Sequence, residues 1–299
     1  MKITTAGSLG NVGQPLVKLL VAAGHEVIVI TSNPDRRSAI EALGARAAVG
    51  TISDPEFLIE AFKGADAVFT MTPPAMGTNI IENIANAGKA YAEAIQASGV
   101  KRVVMLSSIG ADLSEGTGPI QAVHLVEQTF KQLNDVHVTF LRAGFFYYNF
   151  FRDIPLIRSQ HMLVNNYAGA DKLLLAHPQD IAGAVGEELQ SSGNGIEVKY
   201  IVSDISTGDE VAGILGHSIG MHDLRWVAVP DADLEQDMRS AGLPQELAGL
   251  LTEMGKATRE GLVTKDFFAS KAEVRGITKL ADFAAEFRKK YEESVLEKP

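Results

Sequence analysis

Apolar segments alternate with amphipathic segments over the first half of the chain. The apolar segments predict strands at 1–6, 25–31, 45–49, 67–71, 102–106 and 138–142. The amphipathic segments predict helices between them, the clearest at 55–63, 79–98 and 120–133. Strands that alternate with helices are typical of a doubly wound parallel sheet. Most of these strands are near-continuous apolar runs, as expected when helices cover both faces of the sheet, whereas Arg46 interrupts the third.

A glycine-rich turn joins the first predicted strand to the first predicted helix. Glycine lets the backbone approach a pyrophosphate that a side chain would block, and the helix N-terminus then offers N–H groups and a positive dipole end. The strand at 25–31 arrives where a βαβ unit should place its second strand. A plain structural turn is the alternative. We therefore predict a Rossmann-type fold and a dinucleotide phosphate site made by Gly7, Leu9, Gly10, Asn11, Val12 and Gly13.

The end of the second predicted strand bears on the choice of nicotinamide cofactor. Many NAD binders place a carboxylate there, on the adenosine ribose. Here the position reads Ser32-Asn33, and Arg36 and Arg37 follow it. Either arginine could form charge-assisted hydrogen bonds to a 2′-phosphate, so NADP (NADPH) is the favoured cofactor. The alternative is that both arginines are exposed residues of a second helix.

The alternation of predicted strands and helices ends after Gly144, where an aromatic cluster occupies 145–151. Shorter elements and two long helical patterns follow it, and strand-like segments at 173–176 and 197–202 are expected to return to the edge of the sheet. We predict an NAD(P)-binding Rossmann domain over 1–150 and a smaller substrate-binding lobe over 151–299, partly interleaved with the sheet. The predicted fold class is therefore α/β, a Rossmann-type doubly wound parallel sheet with a smaller C-terminal α/β substrate lobe.

Composition excludes several classes of partner and site. The 299 residues carry a formal net charge of −10, which disfavours nucleic acid because its binders usually present a basic face. The chain has no cysteine, so disulfides and thiolate metal sites are excluded, and no metal site is predicted. No apolar stretch reaches the ~18–20 residues of a membrane helix, and a strand at Met1 leaves no room for a signal peptide. We expect a cytoplasmic protein with no membrane partner; a homodimer is compatible with the sequence, which does not specify the oligomeric state.

Several motifs follow the predicted strands in a fixed order. They are the glycine turn, Asn33-Pro34, Thr72-Pro73-Pro74, Ser107-Ser108-Ile109-Gly110-Ala111 and Leu141-Arg142-Ala143-Gly144-Phe145-Phe146. In order and spacing they resemble the NmrA-like atypical short-chain dehydrogenases, especially the NADPH-dependent quinone-oxidoreductase-like subgroup. The resemblance implies that Thr72 and Pro73 lie along the cofactor ribose and that Asn33 and Arg36 lie near the adenosine phosphate. Relatives often have arginine where this chain has Ser32, which weakens the NADP assignment.

The catalytic group is less clear from the sequence. Conventional short-chain dehydrogenases use a Tyr-x-x-x-Lys pair on the helix after the fifth strand, and the helix at 120–133 has neither residue at the expected place. His124 is the candidate there, either to orient the nicotinamide ribose or to donate a proton; a structural histidine is the alternative. Tyr148 is the second candidate, as part of the wall of a flat-substrate pocket, against aromatic packing. Ser107 and Ser108, at the carboxyl end of the fifth strand, are predicted to contact the cofactor, against capping of the next turn.

Two functions remain open at this point. The first is an NADPH-dependent oxidoreductase that transfers hydride to a small acceptor such as a quinone, whose developing oxyanion is stabilised by conjugation and so does not require the missing Tyr-Lys pair. The alternative is a non-catalytic NADP(H)-binding redox sensor that acts through a protein partner.

Overall fold

The computed structural model describes residues 1–72 and 77–296. The chain divides into two compact units, which are described separately. Unit one comprises Met1–Ser114, Ile120–Arg142 and Ile181–Lys199. Unit two comprises Glu115–Pro119, Ala143–Asp180 and Tyr200–Pro299.

Strands and helices alternate along the described residues. The strands are β1 Lys2–Thr5, β2 Glu26–Thr31, β3 Arg46–Val49, β4 Ala67–Thr70, β5 Arg102–Ser108, β6 His137–Ala143, β7 Phe145–Phe146, β8 Met162–Asn165, β9 Lys172–Ala176, β10 Ile196–Ile201, β11 Asp204–Thr207 and β12 Arg225–Ala228. The α-helices are α1 Gly13–Ala22, α2 Arg37–Ala42, α3 Pro55–Phe62, α4 Ile80–Ser98, α5 Ile120–Phe130, α6 Ile154–Gln160, α7 Pro178–Leu189, α8 Gly208–Ser218, α9 Asp231–Ser240, α10 Gln245–Arg259, α11 Leu262–Ala269 and α12 Leu280–Leu296. Two 3-10 helices cover Pro34–Arg36 and Tyr147–Asp153.

A seven-stranded sheet with the order β10-β6-β5-β4-β1-β2-β3 organises unit one. β1 pairs in parallel with both β2 and β4, and β4 pairs in parallel with β5. The chain therefore runs outward from β1 through β2 to β3 and then crosses back to β4 on the other side. This reversal is the topological switch point, outside which open α/β sheets bind their ligands.

The sequence predicted every strand of unit one to within two residues at each end. All four residues of β4 and all seven of β6 are buried, as expected for strands with both faces covered, although β6 includes His137, Thr139 and Arg142. β3 lies at the edge of the sheet, where an exposed Arg46 is tolerated. The predicted doubly wound parallel sheet is therefore confirmed.

The outcome differs for the two strands expected at the sheet edge. β10 does lie at the edge of the seven-stranded sheet. β9 does not: it is the central strand of a separate sheet, β11-β9-β7, antiparallel to β11 and parallel to β7. The prediction for 173–176 was wrong because strand pairing partners are chosen by tertiary context, which a local apolar run does not encode.

Unit two has its own hydrophobic core. It combines aliphatic residues with aromatic ones, among them Tyr147, Phe150, Trp226, Phe283 and Phe287. The aromatic cluster at 145–151 thus forms part of this core. Among residues 1–72 and 77–296, no helix has the length and apolarity to cross a membrane.

Candidate functional site

Two glycines of the turn after β1 are required by the turn itself. Gly7 has φ +96°, and a Cβ on it would lie 2.3 Å from the Met71 sulfur. A Cβ on Gly13 would lie 2.2 Å from the Ser8 carbonyl oxygen. The positive φ at Gly7 and the backbone contact at Gly13 disfavour a side chain at these positions whether or not a ligand binds.

Gly10 is different, because the protein leaves space around it. It is exposed, its φ is not positive, and a Cβ there would meet only the Gly7 carbonyl oxygen, at 3.2 Å. The glycine is therefore not needed to build the turn. Its bare backbone instead leaves an open approach in front of the helix that follows.

The N-terminus of α1 is suited to a phosphate. The helix begins at Gly13 with no side-chain cap and no acidic residue in its first turn. The first N–H groups of a helix have no partner within it, and they lie at the positive end of its dipole. A turn that is open at Gly10 and an uncapped helix behind it fit a pyrophosphate, since anions bind at such termini.

Other predicted residues lie at the same edge of the sheet. Because β5, β4, β1 and β2 are adjacent and parallel, their carboxyl ends meet at one edge. Leu9, Asn11 and Val12 belong to the turn after β1, and half-buried Thr72 comes two residues after β4. Pro73 lies outside the described residues.

Among the residues after β2, Asn33 caps a short helix, whereas the Arg36 side chain is available to a ligand. The Asn33 side-chain oxygen accepts a hydrogen bond from the Asp35 N–H at 2.9 Å and so caps the short helix Pro34–Arg36. Arg36 is exposed, and within residues 1–72 and 77–296 its guanidinium has no hydrogen bond or ion pair. Arg37, in contrast, lies 3.9 Å from the Glu41 carboxylate. Ser32 is exposed and places no carboxylate here.

Ser107 is committed to a buried polar cluster. Its hydroxyl donates to Glu127 Oε1 at 2.6 Å, and Arg142 donates to both oxygens of the same carboxylate, at 3.0 and 2.8 Å. Ser107, Glu127 and Arg142 are 5%, 0% and 5% exposed. The cluster joins β5, α5 and β6, so the structure gives Ser107 a packing role; its predicted cofactor contact stays a prediction.

The loop after β5 also fixes the ring of His124. His124 Nδ1 lies 2.8 Å from the Ala111 carbonyl oxygen. A carbonyl only accepts, so Nδ1 carries the hydrogen, and the neutral ring then offers a lone pair at Nε2. In this state His124 can accept a hydrogen bond from a ligand hydroxyl, and it can donate from Nε2 only when it is doubly protonated. Ser108, the last residue of β5, donates to the Ile109 carbonyl at 3.0 Å.

Tyr148, in unit two, belongs to a second polar cluster. Its hydroxyl donates to Glu286 Oε2 at 2.8 Å, and His177 Nε2 lies 3.0 Å from Glu286 Oε1. Burial and the neighbouring Glu286 carboxylate raise the pKa of Tyr148 well above its usual value, so the phenol remains protonated. His177 follows β9 and Tyr148 follows β7, and these strands are parallel, which brings their carboxyl ends together.

Sequence reasoning missed Glu127 and Glu286, the two carboxylates around which these clusters form. The signal for Glu127 was a carboxylate on a helix face among apolar residues, where an unpaired charge is costly and a buried arginine partner is expected. Glu286 carries no such signal, because it is 41% exposed and sits in a charged helix.

Comparison with known proteins agrees with this geometry. Residues 7–148 match the family described as NAD(P)H-binding. These residues form an NAD(P)H-binding domain. The prediction that this part of the chain binds NAD(P)H is thereby confirmed.

Relatives of this NAD(P)H-binding protein resemble it over most of its length. The NAD(P)H azoreductase of Xenophilus azovorans is 26% identical over 255 residues, which cover 84% of this chain and 85% of the relative. The NADPH-dependent quinone oxidoreductase of Escherichia coli is 21% identical, with a TM-score of 0.75 over 95% of this chain and 98% of that chain. Citrobacter triphenylmethane reductase complexed with NADP(H) is 20% identical, with a TM-score of 0.79 over 96% and 99%. The two solved structures share its fold.

Proposed function

We propose that this protein is an NADPH-dependent oxidoreductase that reduces a small electrophilic acceptor of the quinone or azo type. The observation that carries the proposal is the open face at Gly10 in front of the uncapped α1, within a segment that matches the NAD(P)H-binding family. The azoreductase relative supports the reaction class, because its similarity extends over 84% of the chain rather than over the dinucleotide-binding segment alone.

The residues around the switch point would hold the cofactor. The Gly10 N–H donates to the Gly7 carbonyl oxygen at 3.2 Å, so the backbone N–H groups of 11–13 would bind the pyrophosphate. Thr72 would lie along the ribose. Bound NADPH would supply hydride to the acceptor. The accompanying proton would come from water, because a reduced quinone or azo nitrogen is basic enough to take it without a tyrosine-lysine pair.

Arg36 supports NADPH over NADH. Its guanidinium is exposed and unpaired among the described residues, close in sequence to the end of β2 where ribose recognition takes place. An unpaired guanidinium can bind a phosphate with charge-assisted hydrogen bonds and give up no existing ion pair. Ser32 and Asn33 add no negative charge that would repel the phosphate.

His124 would orient the nicotinamide ribose rather than protonate the acceptor. With its Nδ1 hydrogen on the Ala111 carbonyl, the neutral ring presents Nε2 as an acceptor. A nicotinamide-ribose hydroxyl is a suitable donor to it. His124→Gln should then weaken NADPH binding or slow turnover without abolishing turnover, whereas an essential acid would be lost altogether.

The test is acceptor-dependent oxidation of NADPH. Purified protein is incubated with NADPH and a panel of quinones, azo dyes and enals, and the reduced nicotinamide absorbance is followed. Turnover with at least one acceptor, lost in Gly10→Val, is the expected result. Tight NADPH binding without acceptor-dependent oxidation would contradict the proposal.

That contrary outcome would favour a redox sensor. Similarity also extends to a protein that is not named as a reductase: the Photosystem II assembly factor Ycf39 of Synechocystis is 25% identical over 147 residues, 48% of this chain and 45% of that protein. A sensor should bind NADPH and NADP⁺ with different affinities, and its association with a partner should depend on which form is bound, because a ligand shifts an equilibrium only through differential affinity.

A further inference from the structure

Ser8 has an unusual conformation within the turn after β1. Its φ is +51°, in the left-handed region that residues other than glycine rarely adopt. Its carbonyl oxygen lies against Gly13, and its hydroxyl donates to Thr31 Oγ1 at 3.0 Å. A non-glycine residue stays in this region only where its surroundings hold it there. The contacts of its backbone and its side chain therefore hold Ser8 in place.

Thr31, the last residue of β2, connects this turn to the loop that follows the strand. Thr31 is buried, and its hydroxyl donates to the Asn33 carbonyl oxygen at 3.3 Å. The Asn33 N–H donates back to Thr31 Oγ1 at 3.2 Å. A hydroxyl has one hydrogen and two lone pairs, so these two bonds and the bond from Ser8 use its full capacity.

The Asn33 carbonyl oxygen extends this connection to Arg36. It accepts the Arg36 N–H at 3.2 Å, in addition to the Thr31 hydroxyl. A continuous series of hydrogen bonds thus runs from the side chain of Ser8 to the backbone of Arg36. The loop after β2 is consequently held in place relative to the turn after β1 without any ligand.

The two ends of this series are the places proposed for two phosphate groups of one NADPH molecule. The pyrophosphate would bind the N–H groups of 11–13, and the 2′-phosphate would bind the Arg36 guanidinium. A protein that holds both places in position beforehand loses less conformational freedom when the cofactor binds. NADH has no 2′-phosphate, so the position of Arg36 does not affect its affinity.

We propose that Ser8 and Thr31 are positioning residues that hold Arg36 for the 2′-phosphate and thereby set the preference of this protein for NADPH over NADH. The inference rests on the proposed use of NADPH and adds to it the residues on which the preference depends. Neither Ser8 nor Thr31 needs to contact the 2′-phosphate itself.

The experiment measures the dissociation constants of NADPH and NADH by calorimetric titration, with no acceptor molecule present. Ser8→Ala and Thr31→Val each remove one hydroxyl. Each should lower the preference for NADPH, expressed as the ratio of the two constants, by about 2- to 10-fold, the value of one neutral hydrogen bond. A general disturbance of the turn weakens both cofactors and cancels in the ratio. Thr31→Ser keeps the hydroxyl and should keep the wild-type ratio.

Two further variants separate the hydroxyl groups from backbone strain and from stability. Ser8→Gly removes the hydroxyl but suits the positive φ, so its loss of preference cannot come from backbone strain. Thr4→Val removes a different buried hydroxyl, which donates to the Ala61 carbonyl oxygen at 3.0 Å. Thr4→Val should lower the stability of the protein and keep the wild-type ratio.

A double-mutant cycle with Arg36→Ala tests whether Ser8 acts through Arg36. In the Arg36→Ala background, Ser8→Ala should leave the ratio unchanged, because the group that it positions is gone. An unchanged ratio in Ser8→Ala and Thr31→Val, an equal effect of Ser8→Ala with and without Arg36, or a wild-type protein that binds NADH as tightly as NADPH would overturn the inference. These results do not depend on turnover. A protein that shows the expected ratios and reduces no acceptor would contradict the proposed oxidoreductase activity and support the inference.

Discussion

The Gly10→Ala variant should weaken NADPH binding while leaving the free energy of unfolding almost unchanged. The added Cβ meets only the Gly7 carbonyl oxygen, at 3.2 Å, and the backbone there does not need a positive φ. Replacing glycine at a compatible position stabilises by ~0.4–1 kcal/mol through the unfolded chain, which offsets the tight contact. We therefore expect the free energy of unfolding to change by no more than about 1 kcal/mol.

The effect on the cofactor should be much larger. The methyl group occupies the space through which a pyrophosphate reaches the N–H groups of α1. Loss of one hydrogen bond to a charged phosphate costs about 1.5–3 kcal/mol, so the NADPH dissociation constant should rise about 10- to 150-fold. Gly10→Val, with two further methyl groups, should show no measurable binding.

Two other glycines provide the controls. Gly13→Ala places a Cβ 2.2 Å from the Ser8 carbonyl oxygen and should lower the unfolding free energy by about 1–3 kcal/mol. Gly249→Ala, in α10, has nothing within 4 Å of its Cβ and should leave binding unchanged. Calorimetric titration with NADPH and chemical denaturation are run on each variant. A folded Gly10→Ala protein that binds NADPH as tightly as the wild type would refute the assignment of this turn to the phosphates.

Three further predictions concern cofactor choice and two carboxylates, Asp153 and Glu127. Arg36→Ala should weaken NADPH binding about 10- to 150-fold and leave NADH binding unchanged in titrations, while Arg37→Ala should change both little; equal losses from the two variants would remove the phosphate role of Arg36. Burial raises the pKa of Asp153 to about 7, above its value in the unfolded chain, so its ionisation costs the folded state stability as the pH rises from about 4 through 7. Asp153→Asn should consequently be more stable than the wild type by about 1–4 kcal/mol in denaturation at about pH 8 and should show no such gain at about pH 4; the same gain at both values would contradict the raised pKa of Asp153. Glu127→Ala removes the hydrogen bonds to Arg142 but leaves the Asp112 carboxylate 3.9 Å from it, so it should cost about 1.5–3 kcal/mol of unfolding free energy; a loss below about 0.5 kcal/mol would show that the cluster does not hold β5, α5 and β6 together.

Local sequence was sufficient for unit one. Strands buried on both faces are mainly apolar, and successive parallel strands are joined by a helix, so the strands of 1–142 could be predicted in order. The edge position of β3 explains the arginine that made this strand the hardest to recognise. The pairing of β9 with β7 and β11 could not be read this way, because partner choice depends on contacts distant in sequence.

The candidate site shows the same limit at the level of single residues. The sequence alone does not distinguish Gly7, Gly10 and Gly13. In the structure, Met71 and Ser8 lie against Gly7 and Gly13, whereas Gly10 faces open space. The hydrogen-bond partner of a side chain likewise depends on the tertiary structure. Tyr148 and Glu286 are 138 residues apart, and no local pattern links them.

The most direct test of the central claim is hydride transfer within the protein–NADPH complex. NADPH is prepared with deuterium in one or the other hydride position of the nicotinamide ring, and each form is bound in stoichiometric amount. The complex is mixed rapidly with a quinone or azo acceptor, and loss of the reduced nicotinamide absorbance is timed in a single turnover. A reductase should slow with one labelled form and not with the other, because the bound cofactor presents one face to the acceptor. Identical rates for both forms, equal to the rate without protein, would contradict the account.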